Sequence, residues 1–272
     1  MRATGLTTPG EVLITHCRLG AQTLQASLGD GLAIFYLSPL GSASAKPASA
    51  RGGVPILFPQ FAELGPLVKH GFARTAQWRL VGESASAGLH SIQYELDIDS
   101  KQFAGWPHAA RLDLRSDASP GRLVLRLEVI NTGDHAFGWT GGLHPYFAVD
   151  DLLATTVTGL AGLPVKDRYN AALQIQPGGP VGWGEQAFER LYDGCPALVL
   201  SSGRVQLELS ASGFDQWMAW NPGRQGAAAM ADLPSGDWQR FVCLEPVCVG
   251  RPVMLAPGNV FTGTLQVRAA TA

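Results

Sequence analysis

Apolar and polar residues alternate with a period of two over much of this chain. In residues 122–131 (RLVLRLEVIN), Leu123, Leu125, Leu127 and Val129 share one face. Residues 90–98 (HSIQYELDI), 111–115 (RLDLR) and 205–210 (VQLELS) repeat the pattern. Successive side chains of a strand point to opposite faces, so such runs predict half-buried strands of antiparallel sheets. Residues 11–17, 22–27, 32–37, 197–200, 216–220, 241–244 and 260–267 add shorter runs rich in β-formers. Turn signals separate most of them, such as Asn131-Thr-Gly-Asp134 and Pro177-Gly-Gly-Pro180. With no alternation of strand and helix patterns, the chain reads as all-β, a large antiparallel β-sandwich. No repeat and no linker divides it, so residues 1–272 are expected to form one domain. Residues 42–50 (SASAKPASA) are compositionally loose and read as a surface loop.

Composition sharpens this reading. Glycine (33) and proline (18) make up roughly a fifth of the 272 residues, poor material for helix interiors, where they cost about 1 and about 3 kcal/mol. The 46% apolar content provides for a sizeable core and excludes general disorder. A net charge of −2 argues against a generic nucleic-acid binder. Four cysteines (Cys17, Cys195, Cys243, Cys248) are too sparse for a disulfide scaffold, and the Cys243/Cys248 spacing fits no zinc or redox motif. The opening MRATGLTTPGEV lacks the apolar run of a signal peptide. No stretch approaches the ~20 apolar residues of a membrane helix. The expectation is a soluble, reduced, cytoplasmic protein, monomeric, with no nucleic-acid or membrane partner.

Nucleophile elbows, phosphate loops, dinucleotide fingerprints and zinc-protease motifs are absent. Chemistry-bearing residues instead gather in five strings rich in Gly, Pro and aromatics. They are Arg51-Gly-Gly-Val-Pro-Ile-Leu-Phe-Pro59, Lys69-His-Gly-Phe-Ala-Arg74, Gly141-Gly-Leu-His-Pro-Tyr-Phe147, Trp220-Asn-Pro-Gly223 running on to Met230-Ala-Asp-Leu-Pro234, and Phe241-Val-Cys-Leu-Glu-Pro246. Glu245 ends an apolar run before a proline. It is either a strand-end carboxylate in solvent or beside an arginine, or a buried one whose raised pKa suits a general base. His144 is either a core histidine bonded to a backbone carbonyl or a proton-transfer group near neutrality; His70 poses the same choice. Arg51, Lys69 and Arg74 are either three solvated charges or an anion site. His16, His90, His108 and His135 read as structural or exposed. A metal site from His70, His144 and the acids has no supporting spacing, so neither metal nor cofactor is expected.

Together the five strings resemble the aldose 1-epimerase superfamily, and most of all its hexose-6-phosphate mutarotase branch, the glucose-6-phosphate 1-epimerases. The match runs in order from about Leu32 to Val267. The resemblance implies a galactose mutarotase-like sandwich and a reaction that interconverts α and β anomers of a sugar phosphate. It places Glu245 as general base and His144 as general acid. It gives Arg51 and Arg74 to the phosphate side of the pocket and His70 to the sugar. Two departures matter: Lys69 replaces a usual Gln, and Glu189, in Phe188-Glu-Arg-Leu-Tyr192, stands where an Asp sugar contact is usual. Pro145 also replaces the usual Thr or Ser after the acid histidine. Two rivals are an epimerase of unphosphorylated aldoses and a non-catalytic sugar sensor on the same sandwich.

Overall fold

The computed structural model describes residues 11–29, 31, 33–40, 50–86, 88–203 and 205–269. The loop expected at residues 42–50 lies, Ala50 apart, outside them. In chain order the strands are β1 (Val12–His16), β2 (Thr23–Leu28), β3 (Ile56–Leu57), β4 (Arg79–Ser86), β5 (Leu89–Ile98), β6 (Ala110–Ser119), β7 (Arg122–Asn131), β8 (Phe137–Leu143) and β9 (Tyr146–Ala148). There follow β10 (Thr156–Thr158), β11 (Val165–Asp167), β12 (Phe188–Asp193), β13 (Leu198–Ser202), β14 (Val205–Ser212), β15 (Gln216–Asn221), β16 (Phe241–Leu255) and β17 (Val260–Ala269). Among the described residues, one short α-helix, α1 (Gly223–Ala228), interrupts them.

The alternating runs build an eight-stranded antiparallel sheet in the order β10-β13-β14-β17-β7-β6-β5-β4. Leu123, Leu125, Leu127 and Val129 of β7 are fully buried along its inner face, each worth about 1.5–3 kcal/mol in removal from water. A second sheet runs β11-β12-β15-β16-β8-β3, with β9 also paired to β16. The two sheets meet across aromatic contacts: Trp139 of β8 packs edge-on against Phe261 of β17, ring centres 5.0 Å apart, and Phe214 closes on the same ring. The fold is the antiparallel β-sandwich that the period of two predicts. The β1–β2 hairpin packs on β5 and β6.

Two expectations need correction. Residues 33–37 form no continuous strand; Phe35 and Leu37 make single bridges to Phe147 and Gly52. The run at residues 241–244 does not end at Glu245 but continues through Pro246 to Leu255 as β16. Proline has no N–H for a ladder, yet here it costs little. The ladder with β9 ends at Cys243 and that with β8 starts only at Val247, so Pro246 lies in a stretch of β16 that makes no ladder pair on that side.

Candidate active site

That interruption builds the site. β16 pairs with β9 so that Cys243 faces Tyr146, and with β8 so that Val247 faces Gly142. Both pairings keep one register, which places His144, in the gap, opposite Glu245. On the other side of β16, Glu245 faces Met218 and Cys243 faces Trp220 of β15, and Trp220 in turn faces Glu189 of β12. One sheet face therefore carries His144, Glu245 and Met218 in one row and Tyr146, Cys243, Trp220 and Glu189 in the next. A smaller apolar cluster of Leu57, Phe61, Met218 and Val247 flanks these rows. Gly142 makes the approach of β8 possible: at φ +149° a Cβ there would lie 2.2 Å from the Pro246 carbonyl oxygen.

His144 Nε2 lies 3.4 Å from Glu245 Oε1. The His144 backbone N–H donates to the Pro55 carbonyl at 2.9 Å, and its ring stacks flat on Tyr146, centres 4.8 Å apart, with Trp220 edge-on. Both side chains are buried. His144 Nδ1 and Glu245 Oε2 are buried without a hydrogen-bond partner. Such orphaned atoms cost about 1–3 kcal/mol each and mark places where a fold keeps capacity for a ligand. Burial, helped by Glu189, holds the Glu245 carboxyl well above the usual range. Burial, then the nearby His70, Arg74 and Arg51, holds the His144 imidazole well below its usual value. Both shifts favour the uncharged forms of the pair.

His70 sits at φ +66°, followed by Gly71 at φ +70°. A Cβ on Gly71 would lie 2.1 Å from the Phe58 carbonyl oxygen, so only glycine permits this left-handed pair. The turn brings the His70 ring 5.7 Å from that of His144. His70 Nδ1 accepts from the Ala62 N–H at 3.1 Å. Burial and the cations Arg74, Lys69 and Arg51 push its pKa down to about 3. The ring is thus neutral, with its proton on Nε2 as a donor.

The cations are less alike than their spacing suggests. Arg51 gives Nε and Nη2 to Asp232 at 3.0–3.2 Å and Nη1 to the Tyr146 hydroxyl at 3.1 Å. Two of its five N–H groups remain uncommitted. Lys69 pairs with Glu63 at 3.3 Å. Arg74, on the single turn Ala73–Thr75, donates to the Lys69 carbonyl at 3.1 Å and makes no ion pair among the described residues. A fourth cation, Arg168, was not singled out in the sequence; it holds Glu189 at 3.1–3.2 Å.

These groups line one cavity of about 210 Å³. It brings together all seven candidates: Arg51, Lys69, His70, Arg74, His144, Glu189 and Glu245. Phe61, Ala62, Tyr146, Arg168, Met218, Trp220 and Met230 complete the wall. Tyr146, Trp220 and Met230 fall within the five strings, whereas Arg168 had no local signal. His90 is buried, accepting at Nδ1 from the Ile14 N–H at 2.9 Å, and His16 meets the Tyr94 hydroxyl at 2.6 Å, structural roles as expected. One trio of possible metal ligands stands out among the described residues. His144, Cys243 and Glu245 bring one ligand atom each within 4.8 Å of one another.

Residues 6–268 match the family model described as Aldose 1-epimerase. A protein from Cenchrus ciliaris, provisionally named a glucose-6-phosphate 1-epimerase, is 28% identical over 265 residues, covering 92% of this chain and 79% of its own length. An Escherichia coli K12 protein with the same provisional name is 28% identical over 205 residues, 72% of this chain and 66% of its own. Among solved structures, a provisionally named mutarotase, YeaD of Salmonella typhimurium, superposes with a TM-score of 0.85 at 24% identity, over 96% of this chain and 88% of its own. Slr1438 of Synechocystis superposes at 0.76 with 19% identity, over the whole of both chains. No helix among the described residues is long and apolar enough to cross a membrane.

Proposed function

The chain belongs to the aldose 1-epimerase family and is an isomerase, and from that premise we propose that it interconverts the α and β anomers of a hexose 6-phosphate. The observation that carries the proposal is the buried His144–Glu245 pair on the cavity floor, 3.4 Å apart, each with one unpartnered polar atom. The names of the two 28%-identical relatives and the cations around the cavity favour a phosphorylated sugar.

Opening a hemiacetal ring requires a base to take the O1 proton and an acid to protonate O5 as C1–O5 breaks. Glu245 serves as the base and His144 as the acid. Burial favours the uncharged pair, so the reacting form, carboxylate beside imidazolium, needs a proton to cross from Glu245 to His144. Arg74 and Arg51 are among the charges that depress His144. Glu245 then takes the O1 proton while His144 gives its own to O5. The aldehyde turns about C1–C2 and recloses on its other face, with both transfers reversed. Each transfer is worth ~10²–10⁴-fold. His70 Nε2–H, Glu189 and the Trp220 ring orient the sugar. Arg74 carries most of the phosphate binding, the two uncommitted N–H groups of Arg51 assist, and Lys69 adds longer-range attraction.

Exchange NMR on the anomers of glucose, galactose and mannose 6-phosphates and the free sugars tests this. The expected result is catalysed exchange with a higher kcat/KM for at least one 6-phosphate than for its free hexose. Equal or faster exchange of the free hexose assigns the unphosphorylated substrate instead. No acceleration with any sugar makes the cavity a non-catalytic binding site.

A further inference from the structure

Cys243 takes no part in the reaction above, yet its side chain stands beside the reacting pair. Residues i and i+2 of a strand share a face, so Cys243 and Glu245 project together from β16, and the common register sets His144 opposite Glu245. The ligand atoms of all three lie within 4.8 Å of one another, and all three residues are buried. We propose that His144, Cys243 and Glu245 form a capture site for a thiophilic divalent cation, Zn²⁺ or Cd²⁺, and that its occupancy shuts the reaction off.

The donor set fits such an ion. An imidazole nitrogen, a thiolate and a carboxylate are the ligand types zinc takes, and the thiolate selects it over hard cations such as Mg²⁺ and Ca²⁺. With zinc bonds of ~2.0–2.3 Å, tetrahedral ligands stand ~3.3–3.8 Å apart, so side-chain movements of about 1 Å close the trio. The charge balances as well. A dication with one thiolate, one carboxylate and a neutral imidazole sums to zero, which is what a buried site tolerates. Binding forms three metal–ligand bonds, releases the thiol proton and any carboxyl proton to solvent, and changes no oxidation state. His144 and Glu245 also line the cavity, so the fourth coordination position opens toward water or sugar. An ion held there occupies the lone pairs that must carry protons, and it competes with the sugar. None of the four cysteines lines the cavity wall; only Cys243 joins the trio among the described residues, so the other three supply internal controls.

The test has two readouts. In anomer exchange, Zn²⁺ is expected to inhibit the wild-type protein, a chelator to restore the rate, and added sugar to raise the apparent inhibition constant. Cys243→Ser and Cys243→Ala, each normalised to its own metal-free rate, should raise that constant by at least about 10- to 100-fold. Independently of catalysis, Cd²⁺ titration should give an ultraviolet thiolate-to-metal charge-transfer band that saturates at one equivalent. Saturating sugar should suppress the band. Both Cys243 variants should lack it, while Cys17→Ser, Cys195→Ser and Cys248→Ser keep it. Because the band reads binding alone, it stands or falls separately from the assigned substrate. Unchanged zinc inhibition in the Cys243 variants, a band that survives them, or no band at all overturns the proposal.

Discussion

The side chains of His144 and Glu245 are 8% and 2% exposed, held by a strand register that runs unbroken through the gap between β8 and β9. Those of Lys69 and Arg168 are 54% and 58% exposed and rest in ion pairs with Glu63 and Glu189. The floor of the cavity and its rim therefore obey different physics. On the floor, desolvation dominates: it drives both groups toward their neutral forms. On the rim, water screens each charge, and an exposed ion pair is worth only ~0–1 kcal/mol. Such a pair can open for an anion at little cost. The contrast assigns proton transfer to the floor and anion capture to the rim, and each of the following results would break or sharpen it.

The largest effect belongs to the floor. Glu245→Gln and His144→Ala should each lower exchange by ~10²–10⁴-fold on phosphorylated and free sugars alike, with unchanged circular dichroism. A variant that keeps near wild-type exchange removes its residue from the acid–base pair.

Next is Arg74, the cation among the described wall residues without an ion pair. A lost hydrogen bond to a charged group costs roughly 1.5–3 kcal/mol, and each ~1.4 kcal/mol is tenfold. Arg74→Ala should therefore weaken apparent affinity for a hexose 6-phosphate about 10- to 100-fold, in KM more than kcat. Equal harm to the free hexose would make Arg74 a general positioning group.

A smaller effect lies between floor and rim. The folded pKa of His70 is depressed to about 3 from its ordinary 6.5. Its neutral burial thus contributes stability that is fully present above pH 6.5 and lost as pH falls from 6.5 toward 3. His70→Gln should flatten that acid-side decline in urea unfolding followed against pH. An unchanged slope assigns the decline to other groups.

The smallest effect is expected at Lys69. Lys69→Gln should cost less than about tenfold in KM for the 6-phosphate, and the difference should fade from ~0.01 to ~0.15 M salt as the screening length drops from ~30 to ~8 Å. A salt-independent loss would place the ammonium in direct contact with phosphate.

How much of this was legible in the sequence follows the same division. The eight-stranded sheet could be read because one face of β5, β6 and β7 is dry and the other partly wet, which writes the period of two into the sequence. β8 (FGWTGGL) and β9 (YFA) could not: β8 alternates only over Phe137–Thr140 before its glycines, and β9 is three residues long. Glu245 looked like a strand end because Pro246 normally stops a ladder, and the break in the neighbouring strand that accommodates it lies far away in sequence. Six of the seven candidate residues emerged from the short strings and Glu189 from the family resemblance, but their meeting in one cavity depends on strand register. Arg168 was invisible for that reason: its place at Glu189 follows from the β11–β12 pairing, where its N–H donates to the Glu189 carbonyl at 3.0 Å. Cys243 was visible as a residue but not as a neighbour of His144.

The division of labour between floor and rim is tested most directly by exchange NMR on wild type, Glu245→Gln and Arg74→Ala, each with glucose 6-phosphate and glucose side by side. The account predicts that Glu245→Gln slows both sugars by a similar factor, whereas Arg74→Ala raises KM for the phosphorylated sugar and leaves the free sugar nearly untouched. If Glu245→Gln retained exchange, or if Arg74→Ala slowed both sugars equally, the account would be contradicted.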